Sequence, residues 1–120
     1  MSDSLHPDIP AIDQNVFSAL QSLKELPKIQ KALDIALKQT DQAMTEQVEI
    51  CEIPSPTFHE EKRAEEIARR MKAYGLTDVT IDAIGNVVGV RKGSGHGPVL
   101  VIDAHMDTVF PEGTDVTVRR

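Results

Sequence analysis

The chain has 120 residues, 40% of them hydrophobic and 3% aromatic, with no Trp and a formal net charge of −6. That length allows one small domain, whose core must come from Ile, Leu, Val and Ala. The charge argues against a nucleic-acid partner, which calls for a basic stripe, and against an anionic membrane surface.

No apolar run approaches the ~20 residues of a transmembrane helix. The start, "MSDSLHPDIP", lacks the basic-then-apolar order of a signal peptide. Cys51 is the only cysteine. No internal disulfide can form, a reducing compartment fits, and the expected location is cytoplasmic. Cys51 itself is expected to be a small buried residue near a helix end.

Residues 1–11, with two prolines, read as a loosely packed lead. From Asp13 the pattern turns helical, with Val16, Leu20 and Leu23 spaced four and three apart. Pro27 interrupts it and suits the first position of a second helix. That helix sets Ile29, Leu33, Ala36 and Leu37 on one face. A third, from Thr40 to about Glu52, sets Met44, Val48 and Cys51 on one face, and Pro54 and Pro56 forbid its continuation.

A fourth helix is expected to start with a capping box, Thr57 and Glu60 satisfying each other's free N–H groups. Ala64, Ile67, Ala68, Met71 and Tyr74 form its apolar side, and Gly75 suits its C-terminal glycine. Glu61, Lys62, Glu65, Glu66, Arg69 and Arg70 read as a solvated charged face.

Beyond Gly75 the period becomes extended. "DVTIDA" alternates Val79 and Ile81 with polar residues, Gly85-Asn86 marks a turn, and "VVGV" returns, which predicts a hairpin. After the "GSGHGP" loop, Val99–Ala104 is nearly all apolar and is expected to be a strand covered on both faces. Helices followed by the first strands of a mixed sheet give an α/β architecture. Residues 1–40 read as a helical lead and 41–120 as the domain proper.

In an open α/β sheet, ligands gather outside the carboxyl ends of the strands. His105 follows the expected strand directly and Asp107 lies two residues on. On an extended backbone both side chains project the same way. His105 could then ligate a metal through one ring nitrogen while Asp107 fixes the other. A structural polar pair at a strand end is the alternative. His6, His59 and His96 suit solvated or structural roles. Asp103, inside the apolar run, would need partners if buried.

Three stretches in order, "EIPSPTFHEEKRAEEIARRM", "GLTDVTIDAIGNVVGVRKG" and "GPVLVIDAHMDTVFPEGTDV", resemble the amino-terminal part of a family of dinuclear zinc exopeptidases and deacylases. That family includes peptidase T, carboxypeptidase G, aminoacylase and acetylornithine deacetylase. The resemblance covers about residues 45–118, and its wording is nearest the peptidase T-like branch. It implies that His105 is a zinc ligand and that Asp107 orients it and counts among the catalytic residues. It implies that the "IPSP" and "GN" positions are structural.

The implied reaction is hydrolysis of a peptide or N-acyl amide next to a free terminus by two zinc ions, with cobalt or manganese as substitutes. A glutamate would serve as general base. The implied substrates are di- and tripeptides or N-acyl amino acids. The family's bridging aspartate, glutamate pair, last histidine and dimer-forming domain come later in its chains. The expectation is therefore a fragment or truncated product, inactive alone, with a homodimer possible only through that further domain. A non-catalytic interaction module is the reading from another class.

Overall fold

The computed structural model describes residues 12–119; the expected lead at residues 1–11, with His6, lies outside them. Among the described residues, four helices precede a two-stranded antiparallel sheet, the expected α/β arrangement. They are α1 (Gln14–Glu25), α2 (Pro27–Lys38), α3 (Thr40–Cys51) and α4 (Glu61–Ala73), then β1 (Thr77–Ile81) and β2 (Val87–Val90). No helix among the described residues is long and apolar enough to cross a membrane. The chain divides into two compact units between Ala43 and Met44.

In the first unit, the Asp13 carboxylate caps α1 by accepting the Asn15 N–H at 2.7 Å. Pro27 occupies the first turn of α2, where its missing N–H costs no helical bond. The two helices contact each other. Their apolar stripes nevertheless stay open: neither helix has a buried residue.

In the second unit, α4 packs on both strands of the hairpin. Ala64 and Ala68 are its buried apolar residues, whereas Tyr74 is exposed. Small side chains at this stripe let helix and hairpin approach closely. At Gly89 on β2, an added Cβ would stand 3.0 Å from Leu76 Cδ2 and 3.2 Å from Met71 Sδ. Gly75 ends α4 as the sequence suggests. At φ +77 it donates to the Lys72 carbonyl while Leu76 donates to Met71, a Schellman closure.

The hairpin pairs Thr77 with Val90, Thr80 with Val88 and Ile81 with Val87. This register places one extra residue on β1, and Asp78 there takes φ +52, which marks a bulge. The turn is built by Asp82. Its carboxylate accepts the Ile84 and Asn86 N–H groups at 3.0 and 2.9 Å and the Asn86 side-chain amide at 2.9 Å. These donors, the Asn86 side chain first, hold the Asp82 carboxyl below the usual range.

Several expectations are corrected. Val99–Ala104 is not a covered strand: Val99 and Ile102 are 91% and 86% exposed, and no ladder forms there. An all-apolar strand needs neighbours on both edges, and among the described residues β1 and β2 pair only with each other. Asp103 is accordingly exposed, so burial makes no demand on it.

The capping box does not form. The helix starts at Glu61, Glu60 accepts the Phe58 N–H at 2.8 Å, and the Thr57 hydroxyl is engaged elsewhere. Cys51 is exposed, and Met44 is 53% exposed.

The charged face of α4 is only partly solvated. The side chain of Arg70 is 13% exposed and pairs with Glu49 and Glu66, both at 2.7 Å, and Tyr74 donates a hydrogen bond to Glu46. Arg70 thereby links the end of α3 to α4.

Candidate functional site

The site is assembled from two short segments and one arginine. Pro54 and Pro56 keep the chain extended after α3. Ser55 and Pro56 then run parallel to Met106–Thr108, joined by a bridge between Pro56 and Thr108. Thr108 donates its N–H to the Ser55 carbonyl at 2.8 Å, and its hydroxyl reaches the same oxygen at 3.2 Å. Ser55, 1% exposed, donates its hydroxyl to the Met106 carbonyl at 3.0 Å.

Arg63, in the first turn of α4 and 5% exposed, joins the same platform. Its guanidinium donates to Met106 at 2.7 Å and to Ile53 at 3.1 Å through Nε. A second nitrogen also reaches Ile53, and a longer contact of 3.4 Å reaches Cys51. The fork engages the Ile53 and Met106 carbonyls through different nitrogens held in one plane, a spread that the compact lysine ammonium does not reproduce. The carbonyl of Met106, the residue between His105 and Asp107, therefore has two donors.

On this platform His105 and Asp107 meet. His105 Nδ1 lies 3.0 Å from Asp107 Oδ1 and 3.0 Å from the Asp107 carbonyl oxygen. Both neighbours can only accept, so Nδ1 carries the proton. The neutral ring then presents an unprotonated Nε2. The side chain of His105 is 85% exposed, so that lone pair is open to a ligand.

Asp107 is engaged on its other oxygen too: Oδ2 accepts the Thr57 hydroxyl at 2.8 Å. The Thr57 hydroxyl first, then His105, holds the Asp107 carboxyl below the usual carboxylate range.

The structure thus brings the two sequence-predicted residues together. His59 lies just before α4 and His96 in the glycine loop, both exposed. Among the described residues, no three His, Cys, Asp or Glu side chains gather as a metal-binding group. The donor set at His105 fits one ligand of a metal site, an imidazole whose far nitrogen is fixed by a carboxylate. A separate cavity is lined by Cys51, Phe110, Thr114, Asp115, Val116 and Thr117 and includes neither His105 nor Asp107.

Sequence reasoning missed Ser55, Thr57 and Arg63 as parts of this arrangement. Thr57 resembled a helix cap, and Arg63 was placed on neither the apolar side nor the charged face of its helix. The available signal was phase: Arg63 adjoins Ala64 and stands one turn before Ile67, at the margin of the apolar stripe.

Known proteins share part of this sequence. A protein of Pyrococcus abyssi, provisionally named a LysW-lysine/LysW-ornithine hydrolase, is 43% identical over 61 residues, 51% of this chain and 17% of that protein. The protein of the same name from Pyrococcus furiosus is 38% identical over 60 residues, 50% of this chain and 18% of its own length. The uncharacterised protein YgeY of Escherichia coli K12 is 45% identical over 58 residues, 48% of this chain and 14% of its own. These matched stretches span less than a fifth of the relatives' lengths. No family model matches the chain.

Proposed function

We propose that this chain contributes one metal-ligand histidine, with its orienting aspartate, to a metal-dependent hydrolase acting on an amide bond beside a free terminus. The observation that carries the reading is the 3.0 Å contact of His105 Nδ1 with Asp107 Oδ1, which turns Nε2 outward. His105 would hold one divalent ion, zinc by the chemistry of imidazole ligands, with cobalt or manganese as substitutes. The chemistry a bound ion supplies there is polarisation of the scissile carbonyl and activation of water. Asp107 keeps the proton on Nδ1 and restricts ring rotation. The remaining ligands and the general base must come from residues outside this arrangement.

The sequence wording favours a peptidase T-like di- or tripeptide aminopeptidase. A second reading, release of an amino acid from an N-acyl partner, is favoured by the two relatives named for LysW-lysine and LysW-ornithine hydrolysis. The test uses the complete gene product carrying this stretch, with metal stoichiometry and steady-state kinetics on dipeptides and on Nα-acyl amino acids. His105→Ala is expected to lower metal occupancy. Asp107→Asn keeps the size but loses the charge, and is expected to lower activity about 10–100-fold. Normal metal content in His105→Ala together with normal turnover in Asp107→Asn would refute the assignment and leave a structural polar pair.

A further inference from the structure

We propose that Thr57 is a positioning residue for His105, acting through Asp107: its hydroxyl locks the carboxylate in the orientation that keeps the imidazole proton on Nδ1. The inference rests on the reading of His105 as a ligand, since that tautomer is the one that frees Nε2.

The geometry comes from the platform. The parallel bridge between Pro56 and Thr108, with the Thr108 N–H on the Ser55 carbonyl at 2.8 Å, sets residues 55–57 beside 106–108. Ser55 and Arg63 both fix the Met106 carbonyl, at 3.0 and 2.7 Å. With the backbones held in that register, Thr57 is a diagonal neighbour of Asp107, and its hydroxyl reaches the carboxylate. The two carboxylate oxygens then have different partners: Thr57 Oγ1 on Oδ2 at 2.8 Å and His105 Nδ1 on Oδ1 at 3.0 Å. Rotation of the carboxylate breaks both contacts, so the hydroxyl opposes any turn that would release the ring.

A second observation marks this turn as constrained. Phe58, directly after Thr57, takes φ +70, a left-handed conformation that L side chains other than Asn and Asp rarely adopt. The turn is held by the His59 N–H on the Pro56 carbonyl at 2.9 Å and by the Phe58 N–H on the Glu60 carboxylate at 2.8 Å. Phe58 is 85% exposed, so its side chain gains little from being there. What the turn achieves is the placement of Thr57 against Asp107. The rival acceptor is the Asp107 carbonyl, 3.0 Å from Nδ1. It is neutral, and a charged acceptor makes the stronger bond. Without Thr57 the side chain of Asp107, 32% exposed, is free to turn to water and leave the ring on the carbonyl alone.

The experiment is ¹H–¹⁵N NMR of the His105 ring in the whole chain without metal, at a pH where imidazole is neutral, with the resonances assigned by His105→Gln. Asp107→Asn calibrates the full loss of the carboxylate. Thr57→Val and Thr57→Ala are expected to move the Nδ1 resonance from protonated toward unprotonated nitrogen by at least half of the Asp107→Asn change. Thr57→Ser, which keeps the hydroxyl, is expected to restore the wild-type position. Unchanged hairpin and α4 amide resonances show that the fold persists, and Thr57→Ala serves should the branched Val disturb the turn. An unmoved ring in both hydroxyl-free variants, or a shift in Thr57→Ser as large as in Thr57→Val, overturns the proposal. No metal enters this measurement, so its failure is distinct from a failure of His105→Ala to change metal content.

Discussion

Replacing Arg63 with Ala tests whether one buried guanidinium organises the platform. The structure supplies the terms. Ile53 loses its Nε donor at 3.1 Å together with the second guanidinium donor. Met106 loses its 2.7 Å donor but keeps the Ser55 hydroxyl at 3.0 Å. The 3.4 Å contact with Cys51 is long and adds little. A hydrogen bond from a charged donor is worth roughly 1.5–3 kcal/mol, and a buried acceptor left without partners costs about 1–3 kcal/mol. Ile53 carries most of the loss and Met106 a smaller part. Removing a buried charge also returns some desolvation energy. The expected net destabilisation is about 2–4 kcal/mol, a large share of the ~5–15 kcal/mol that holds an ordinary domain. Arg63→Lys should recover only a minority of it, since one ammonium cannot span two segments. The assay is urea unfolding followed by circular dichroism, with amide exchange read at Thr108, whose N–H bonds to Ser55. An unchanged midpoint and unchanged Thr108 protection in Arg63→Ala would refute the reasoning.

Two further outcomes are expected. Arg69 and then Arg70 hold the Glu66 carboxyl down to about 2. Because its folded value is depressed, its contribution is complete above the ordinary glutamate value and is lost as pH falls from there toward about 2; acid titration of Glu66→Gln should lack that component, and an identical acid profile would count against it. The 120-residue chain alone, with zinc, cobalt or manganese added, is expected to show no turnover of peptides or N-acyl amino acids. Among its described residues no three-ligand group forms, and catalytic zinc sites use three protein ligands. Turnover above a metal-only blank that disappears in His105→Ala would refute this.

Local chemistry was legible in the sequence wherever one residue decides the backbone. Pro27 opens α2, Gly75 closes α4 and Gly85 turns the hairpin at φ +93, each for a reason internal to a few residues. The approach of His105 and Asp107 was legible for the same reason, being a contact between near neighbours. Burial was not. The run Val99–Ala104 has the composition of a covered strand, but covering depends on edges that other segments supply, and composition does not report whether they do. Thr57 failed from the opposite direction. Its spacing to Glu60 fits a cap, yet its hydroxyl donates to a carboxylate 50 residues away, a charged acceptor, instead of accepting a free N–H. Arg63 was hidden among charged neighbours, because only the fold shows that carbonyls of two separate segments converge on it.

The arrangement at His105 follows from the absence of a ladder around it. A residue at the end of a paired strand inherits its position from the sheet. Here the residues before His105 are exposed and unpaired in any ladder, so its position must come from contacts made after it. The carbonyl of Met106 and the N–H of Thr108 provide them, the first gripped by Arg63 and Ser55 and the second by the Ser55 backbone. The segment is thus pinned on either side of Asp107, while His105 stands one residue outside the grip. That explains why Asp107 is partly covered and His105 is 85% exposed. It also assigns the two residues unequal freedom. Asp107 is the fixed element, and the ring of His105 is oriented by leaning on it. On the proposed reading, such an exposed imidazole leaning on a pinned carboxylate would offer Nε2 to a metal in a fixed direction, while Nδ1 keeps its proton and its partner.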